Sequence, residues 1–303
     1  MAMLSRLKLL FCVVIWGWTF VATKVVLSYV TPVELLGLRL LLALPVLLAV
    51  VRLKRIRFRF GLRDSGKVAL GSAIITAHFL IQITGLQYTS ATNTGWIISI
   101  TPLVLAVLSF LFLNERLGIR EYAGIAVATA GILLLVSHGN LSSFEWLSSV
   151  GDWLVLASAH TWALYTIATR DLSRAHNPLA LTFAVLAPAG LMILGYMAVT
   201  SDWERFLHLP ADAVVALLFL GVLGLAIAHW FWQEGVADIG AARAGIFLYL
   251  EPVATTVLAV PYLGEQFTWA TALGGLAVLG GVYFGQRRRK PKRAAVSIAA
   301  DDH

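Results

Sequence analysis

The chain is written as ten apolar stretches of about twenty residues, and this pattern constrains its fold more than any other feature. They run over residues 7–27, 32–51, 68–88, 92–113, 120–137, 152–170, 178–199, 212–233, 241–262 and 268–286. About twenty consecutive apolar residues is the length a helix needs to cross the hydrocarbon core of a bilayer. A membrane β-barrel would instead show segments of about ten residues with alternating polarity. Ten helical spans use about 200 of the 303 residues, leaving short loops and two tails and no room for a soluble domain.

Composition agrees. Hydrophobic residues make up 59% and charged residues 13%, with a mean hydropathy of +0.83. A soluble domain carries about 25% charge and could not cover this much apolar surface. The single cysteine, Cys12, excludes an internal disulfide and a multi-cysteine metal site. Arg6 and Lys8 before the first apolar run suit a signal peptide. The run is read as a span, because an internal segment repeats its pattern.

The net charge of +7 raises the question of an acidic partner, and the placement of the charges answers it. Twenty of the 23 Lys and Arg residues fall on one side of the ten-span arrangement. That side holds Arg6 and Lys8, the loop from Arg52 to Lys67, Arg116, Arg120, Arg170, Arg174, Arg243 and the tail from Arg287 to Arg293. Basic loops stay cytoplasmic, so both termini are expected inside. Trp146, Trp153, Trp203 and Trp269 fall near the opposite interface, as an aromatic belt would. The basic tail reads as a topology anchor touching anionic lipid, with no nucleic acid as partner.

The chain also repeats itself. Shifted by 150 residues, 71–136 overlays 221–286 without a gap, pairing Gly85 with Gly235, Gly95 with Gly245, Pro102 with Pro252 and Glu115 with Glu265. Shifted by 146, Trp16 falls on Trp162, Thr23 on Thr169 and Pro32 on Pro178, while Lys24 falls on Arg170. Each half has five spans, and an odd number makes the second half enter the membrane from the opposite side. The fold class expected is therefore all-α integral membrane, ten transmembrane helices as two inverted five-helix repeats around a central cavity. The halves are 1–146 and 147–286, followed by a basic cytoplasmic tail, 287–303, expected to be disordered. Inverted repeats are typical of secondary transporters. Gly274, Gly275, Gly280, Gly281 and Gly285 read as a helix-packing surface, within the chain or in a dimer, rather than a phosphate loop, since no strand precedes them.

With the repeat in hand, the chain resembles the drug/metabolite transporter superfamily, specifically its EamA-type members. The resemblance is carried by Trp16-Gly17 followed by Lys24, and by Pro32 with Leu38-Arg39-Leu40-Leu41-Leu42-Ala43. Leu113-Asn114-Glu115-Arg116-Leu117 and Leu263-Gly264-Glu265-Gln266 add to it. It covers about residues 7–286. Within the family the chain looks most like the YddG-type amino-acid exporters, because of its aromatic central helices. The resemblance implies a cavity lined by the first, third, fourth, sixth, eighth and ninth helices.

On that arrangement, polar groups inside the spans become candidates, because they are costly in lipid and turn toward a wet interior. His78 and Gln82 share one helix face with Gly71, Ile75 and Gly85, and His78 is either a substrate contact or a histidine bonded to a neighbouring helix. Trp16 and Trp162 are repeat-related and read as opposing walls of one cavity, suited to amino-acid side chains and to an ammonium group, or as packing wedges. Trp96 and Tyr165 are further substrate-binding candidates; Asn93, Thr166, His160, Trp230 and Tyr249 stand behind them. Glu251 is the one acid near a span centre, either a proton-coupling group or a structural acid. Arg39 lies a turn or two from its membrane end and is read as snorkelling or pairing with Glu34. Pro102 and Pro252 are either gating hinges or static kinks. Glu115, Glu265 and Asp152 read as helix N-terminal caps.

The function these features point to is a cytoplasmic-membrane transporter exporting amino acids, aromatic and other neutral ones, by alternating access. The alternative is an exporter of drugs or other small metabolites. A sugar-phosphate carrier would want several cavity Lys or Arg residues. An integral membrane enzyme would need a catalytic set, and neither a His-Glu-x-x-His nor a serine elbow is present. Neither cofactor nor metal is expected, and the lipid bilayer and a small-molecule substrate are the partners. An oligomer is not required.

Overall fold

The computed structural model describes residues 2–115, 117–136, 149–263 and 269–286. The tail 287–303, Arg116, Trp146 and Glu265 lie outside them. Every regular element among the described residues is helical. They are α1 (Ala2–Leu27), α2 (Pro32–Leu53), α3 (Leu62–Tyr88), α4 (Ala91–Ile98), α5 (Thr101–Leu113), α6 (Ile119–Val136), α7 (Val150–Ala175), α8 (Pro178–Thr200), α9 (Glu204–Leu207), α10 (Ala211–Leu218), α11 (Ala228–Ile239), α12 (Ala241–Gly245), α13 (Glu251–Leu263) and α14 (Trp269–Gln286). A π-helical stretch, Phe219–Ile227, joins α10 to α11, and a 3-10 stretch, Ile246–Leu250, joins α12 to α13. Joined end to end where they are nearly continuous, these make ten rods among the described residues, with the one-turn α9 between the seventh and eighth. Seven of them are long and apolar enough to cross a membrane by length and composition. The rods at α6, α7 and α14 fall short of that measure; α7 carries Asp152, Arg170, Asp171 and Arg174 along its length.

Local chemistry sets the rod boundaries. Thr31 and Glu34 form a reciprocal cap with Pro32 in the first turn of α2, and Ser149 with Asp152 does the same for α7. Asn177 accepts from Leu179 and Ala180 N–H at the start of α8. Two rods break just before their repeat-related prolines. Pro102 has no N–H to give Ile98 O, and the Thr101 hydroxyl donates there instead, at 2.6 Å. Pro252 leaves Leu248 O in the same position, and there the 3-10 turn brings Glu251 N–H to it. The same backbone gap is thus closed by a side chain in one half and by a tighter turn in the other.

The rods pack in an order that respects the repeat. The first rod lies along α11 of the eighth, and α3 lies along α7; swapping the halves exchanges these two pairs. The second rod packs on α8, α4 on α13, and α6 on α14. In lipid there is no hydrophobic drive between helices, so close approach at small residues does this work. A Cβ on Gly17 would lie 2.6 Å from Glu251 O, so α1 and α13 touch backbone to backbone there. A Cβ on Gly124 would lie 2.6 Å from Gly281 O, and one on Gly281 equally close to Gly124 O. Gly274, Gly281 and Gly285 of α14 therefore serve packing within the chain, on α6, while Gly275 and Gly280 have nothing within 4 Å of a Cβ.

Side-chain contacts show which rod ends sit together. At the end holding the N-terminus, Lys8 pairs with Glu234, His176 with Asp64 and Arg243 with Glu121. There, too, Arg170 donates twice to Glu115, at 2.9 and 2.7 Å. Glu115 also accepts from Ala242 N–H at 3.1 Å, so it caps α12, a helix distant in sequence. At the opposite end Lys24 donates to Leu86 O and Thr89 O, at 2.8 and 2.9 Å. Asp152 accepts there from the Thr89 hydroxyl and from Asn93 Nδ2, at 2.5 and 2.6 Å. Lys24 and Arg170, which the repeat aligns, thus clamp opposite ends of the bundle.

Candidate functional site

A cavity with about 430 Å³ of empty space, open solvent included, lies between the rods. Trp16, Thr19 and Phe20 of α1 line it with Arg39 of α2 and with His78, Phe79 and Gln82 of α3. Ile98, Thr101, Trp162, His229, Leu248 and Glu251 complete it. Under the two sequence shifts, eight of these thirteen residues are four repeat-related pairs: Trp16 with Trp162, Phe79 with His229, Ile98 with Leu248 and Thr101 with Glu251. The cavity therefore sits where the two halves meet. The other five all come from the first half, and their counterparts Tyr165, Thr166, Val185, Ala228 and Trp232 are packed away, at 1% exposure or less.

Aromatic rings form one continuous cluster at this meeting point. Trp16 and Trp162 stand edge to face at 5.0 Å, and His229 lies 5.1 Å from one and 5.4 Å from the other. Trp232 packs on both, and His78 lies 5.2 Å from Trp162. This corrects the expectation of two opposing tryptophan walls. Rings already in contact leave no room for a ligand between them, so they form one shared surface. The π-helical stretch serves that surface: Gly224 O accepts from Trp16 Nε1 and from His229 Nδ1, both at 3.0 Å. His78 places Nδ1 2.9 Å from Ser158 O. A carbonyl only accepts, so that nitrogen carries the proton, a tautomer assigned from the network.

The sequence-derived candidates separate into two groups. Trp16, His78, Gln82, Trp162 and Glu251 line the cavity, and Pro102 and Pro252 follow directly on its residues Thr101 and Glu251. Tyr165 does not line it: its ring lies behind Trp162 at 5.4 Å and its hydroxyl accepts from Gln233 Nε2 at 2.7 Å. Thr166 is buried beside it. Trp96 and Tyr249 line a second hollow of about 640 Å³, with Leu103, Thr129, Ile132 and Leu156. Asn93 belongs to the Asp152 cluster. His160 is exposed on the outside of α7, bonded to Leu156 O of its own helix. Trp230 donates to Glu234, with Lys54 5.3 Å from its ring, at the end of the bundle. Spacing along a helix cannot separate these positions, because both faces of a membrane helix are apolar.

Arg39 overturns its reading. Glu34 is engaged with Thr31 and pairs with Arg205, so it is not the partner of Arg39. Arg39 is buried, lines the cavity, and holds its guanidinium 5.2 Å from the Phe79 ring. The signal was there, since a charge inside an apolar span is costly. His229, which spacing alone does not single out, lines the cavity as the repeat counterpart of Phe79. Several buried polar atoms in this region have no hydrogen-bond partner among the described residues: Arg39 Nε, Trp162 Nε1, Thr166 Oγ1, His229 Nε2, Trp232 Nε1 and Gln233 Oε1.

A multi-rod membrane bundle with a polar and aromatic cavity between two sequence-related halves is the layout of a membrane carrier. The EamA-like transporter family matches the chain twice, over residues 4–137 and 149–285, and the chain belongs to that family, within the drug/metabolite transporter superfamily. It is a multi-pass membrane transporter. An uncharacterized transporter of Archaeoglobus fulgidus is 28% identical over 92% of this chain and 96% of its own length. A probable terminal-alkyne amino-acid exporter of Streptantibioticus cattleyicolor is 27% identical over 78% of this chain and 77% of its own length. A crystal structure superposes with a TM-score of 0.75 at 20% identity, covering 93% of this chain and 97% of that one, and so shares the fold.

Proposed function

We propose that the protein exports amino acids, aromatic and other neutral ones, across the cytoplasmic membrane by alternating access. All ten rods then cross the bilayer, both termini are cytoplasmic, and residues 1–146 and 147–286 are the two inverted halves. The observation that carries this reading is the asymmetry of the cavity. Five first-half residues line it while their second-half equivalents are packed away at 1% exposure or less, and Thr166 and Trp232 among these, with neighbouring Gln233, hold orphaned polar atoms. An orphaned buried polar group costs about 1–3 kcal/mol. A second state that wets these groups and buries Thr19, Phe20 and Gln82 recovers part of that cost. Thr19, Phe20 and Gln82 extend from the tryptophans toward the end opposite the N-terminus, so this state faces outward. Pro102 and Pro252, beside the rod breaks, are the hinges in this scheme. The aromatic floor suits amino-acid side chains, and one guanidinium is too few for a phosphosugar.

The test is flux in proteoliposomes loaded separately with radiolabelled phenylalanine, threonine and a phosphosugar, under varied pH gradients. The two amino acids are expected to leave and the phosphosugar to remain. Phosphosugar flux without amino-acid flux would remove the substrate reading. Rates indifferent both to the gradient and to Glu251→Gln would exclude proton coupling at that acid.

A further inference from the structure

Among the described residues, Arg39 is the cation that lines the central cavity and Glu251 the acid. They come from different rods, the one on α2 and the other at the start of α13. Both are more than nine-tenths buried. Neither side chain forms an ion pair or a hydrogen bond with another described residue, nor do they pair with each other, and Arg39 Nε is a buried orphan. The acids near the rod ends behave differently: Glu34, Glu115 and Glu234 each have a basic partner. A lone charge in a low-dielectric interior is costly, and two of opposite sign left apart in one cavity forgo the attraction that would offset the cost.

Together they set one basic and one acidic group on the wall of a single cavity, with Trp16, Phe20, Phe79 and Trp162 lining the space alongside them. A ligand that satisfies both needs a carboxylate and an ammonium on one small frame, with an apolar flank for the rings. A neutral α-amino acid in its zwitterionic form meets that description. A guanidinium grips a carboxylate through two parallel N–H donors, which makes Arg39 the anion subsite. We propose that Arg39 holds the substrate carboxylate and Glu251 its ammonium, and that this pair selects zwitterions over amines, organic anions and phosphosugars. This deepens the amino-acid reading and rests on it.

The experiment measures thermal stabilisation of the purified full-length protein by phenylalanine, by phenylalaninamide, which lacks the carboxylate, and by 3-phenylpropanoate, which lacks the ammonium. In the wild-type protein both analogues are expected to need at least tenfold more ligand than phenylalanine for half-maximal effect. Arg39→Gln should bring phenylalanine to the level of the amide, Arg39→Lys should fall between, and Glu251→Gln should bring phenylalanine to the level of 3-phenylpropanoate. The wild-type series needs no variant to fold. Analogues as potent as phenylalanine in the wild type, or variants that keep the wild-type discrimination, overturn the charge pair while leaving amino-acid flux standing. Loss of all amino-acid binding together with loss of flux in the vesicles overturns the amino-acid reading and the pair with it.

Discussion

Of two hollows among the described residues, the larger is the less promising. The lateral one, about 640 Å³ between α4, α5, α6, α7 and the 3-10 stretch, has no charged residue in its lining. Its hydroxyls are satisfied within the protein: Thr129 and Tyr249 meet at 2.8 Å, and Ser99 bonds Trp96 O. The central one, about 430 Å³, holds two unpaired charges, two histidines and the tryptophan cluster. Volume measures where packing is incomplete. Unsatisfied polarity shows where something from outside the chain completes it, because a buried polar group is stable only when partnered.

The contrast can be broken by substitution. The largest effect is expected from Trp162→Ala, which removes ring contacts to Trp16, His78, His229 and Trp232 at once. Transport should fall at least tenfold, about 1.4 kcal/mol or more at the rate-limiting barrier, with membrane expression intact. Next is His78→Ala, which opens the cavity wall and removes one of two side-chain donors to Ser158 O, the Thr161 hydroxyl remaining; a fall of about three- to tenfold in vesicle flux corresponds to a hydrogen bond worth about 0.5–1.5 kcal/mol. Tyr165→Phe leaves the cavity lining intact and deprives Gln233 of the shorter of its two bonds, the one to Thr169 remaining, so it should cost about 1 kcal/mol of stability, seen as a lower melting temperature, with binding unchanged. The smallest effect belongs to the lateral hollow, where Trp96→Leu and Tyr249→Phe should leave flux within about twofold. Crevice variants that cut flux as deeply as Trp162→Ala would reverse the ranking of the two hollows.

Much of this architecture was legible beforehand, for definite reasons. A span is a local property of about twenty residues, so hydropathy reveals it without knowledge of neighbours. The repeat is also written in the chain, and it foretold which rods and which prolines correspond. His78 and Gln82 could be placed on one face because their spacing follows the helical period. Trp96 and Tyr165 lie outside the lining of the central cavity, because period gives a face but not what that face meets. The sequence offers Glu34 as a nearby partner for Arg39, whereas Glu34 bonds Arg205, far along the chain. Only a folded bundle brings such residues together or keeps them apart.

The sequence by itself determined a membrane protein of helical spans, duplicated within the chain, with its positive charge gathered toward one set of loops. These follow from transfer energies and backbone hydrogen bonding, which act over one helix at a time. Only the tertiary structure decided which half stands open, that the two repeat-related tryptophans touch, and that Arg39 and Glu251 share one cavity unpaired. Those outcomes depend on how rods distant in sequence pack at their small residues, and lipid-like hydrophobicity on every face hides that from any pattern read along the chain.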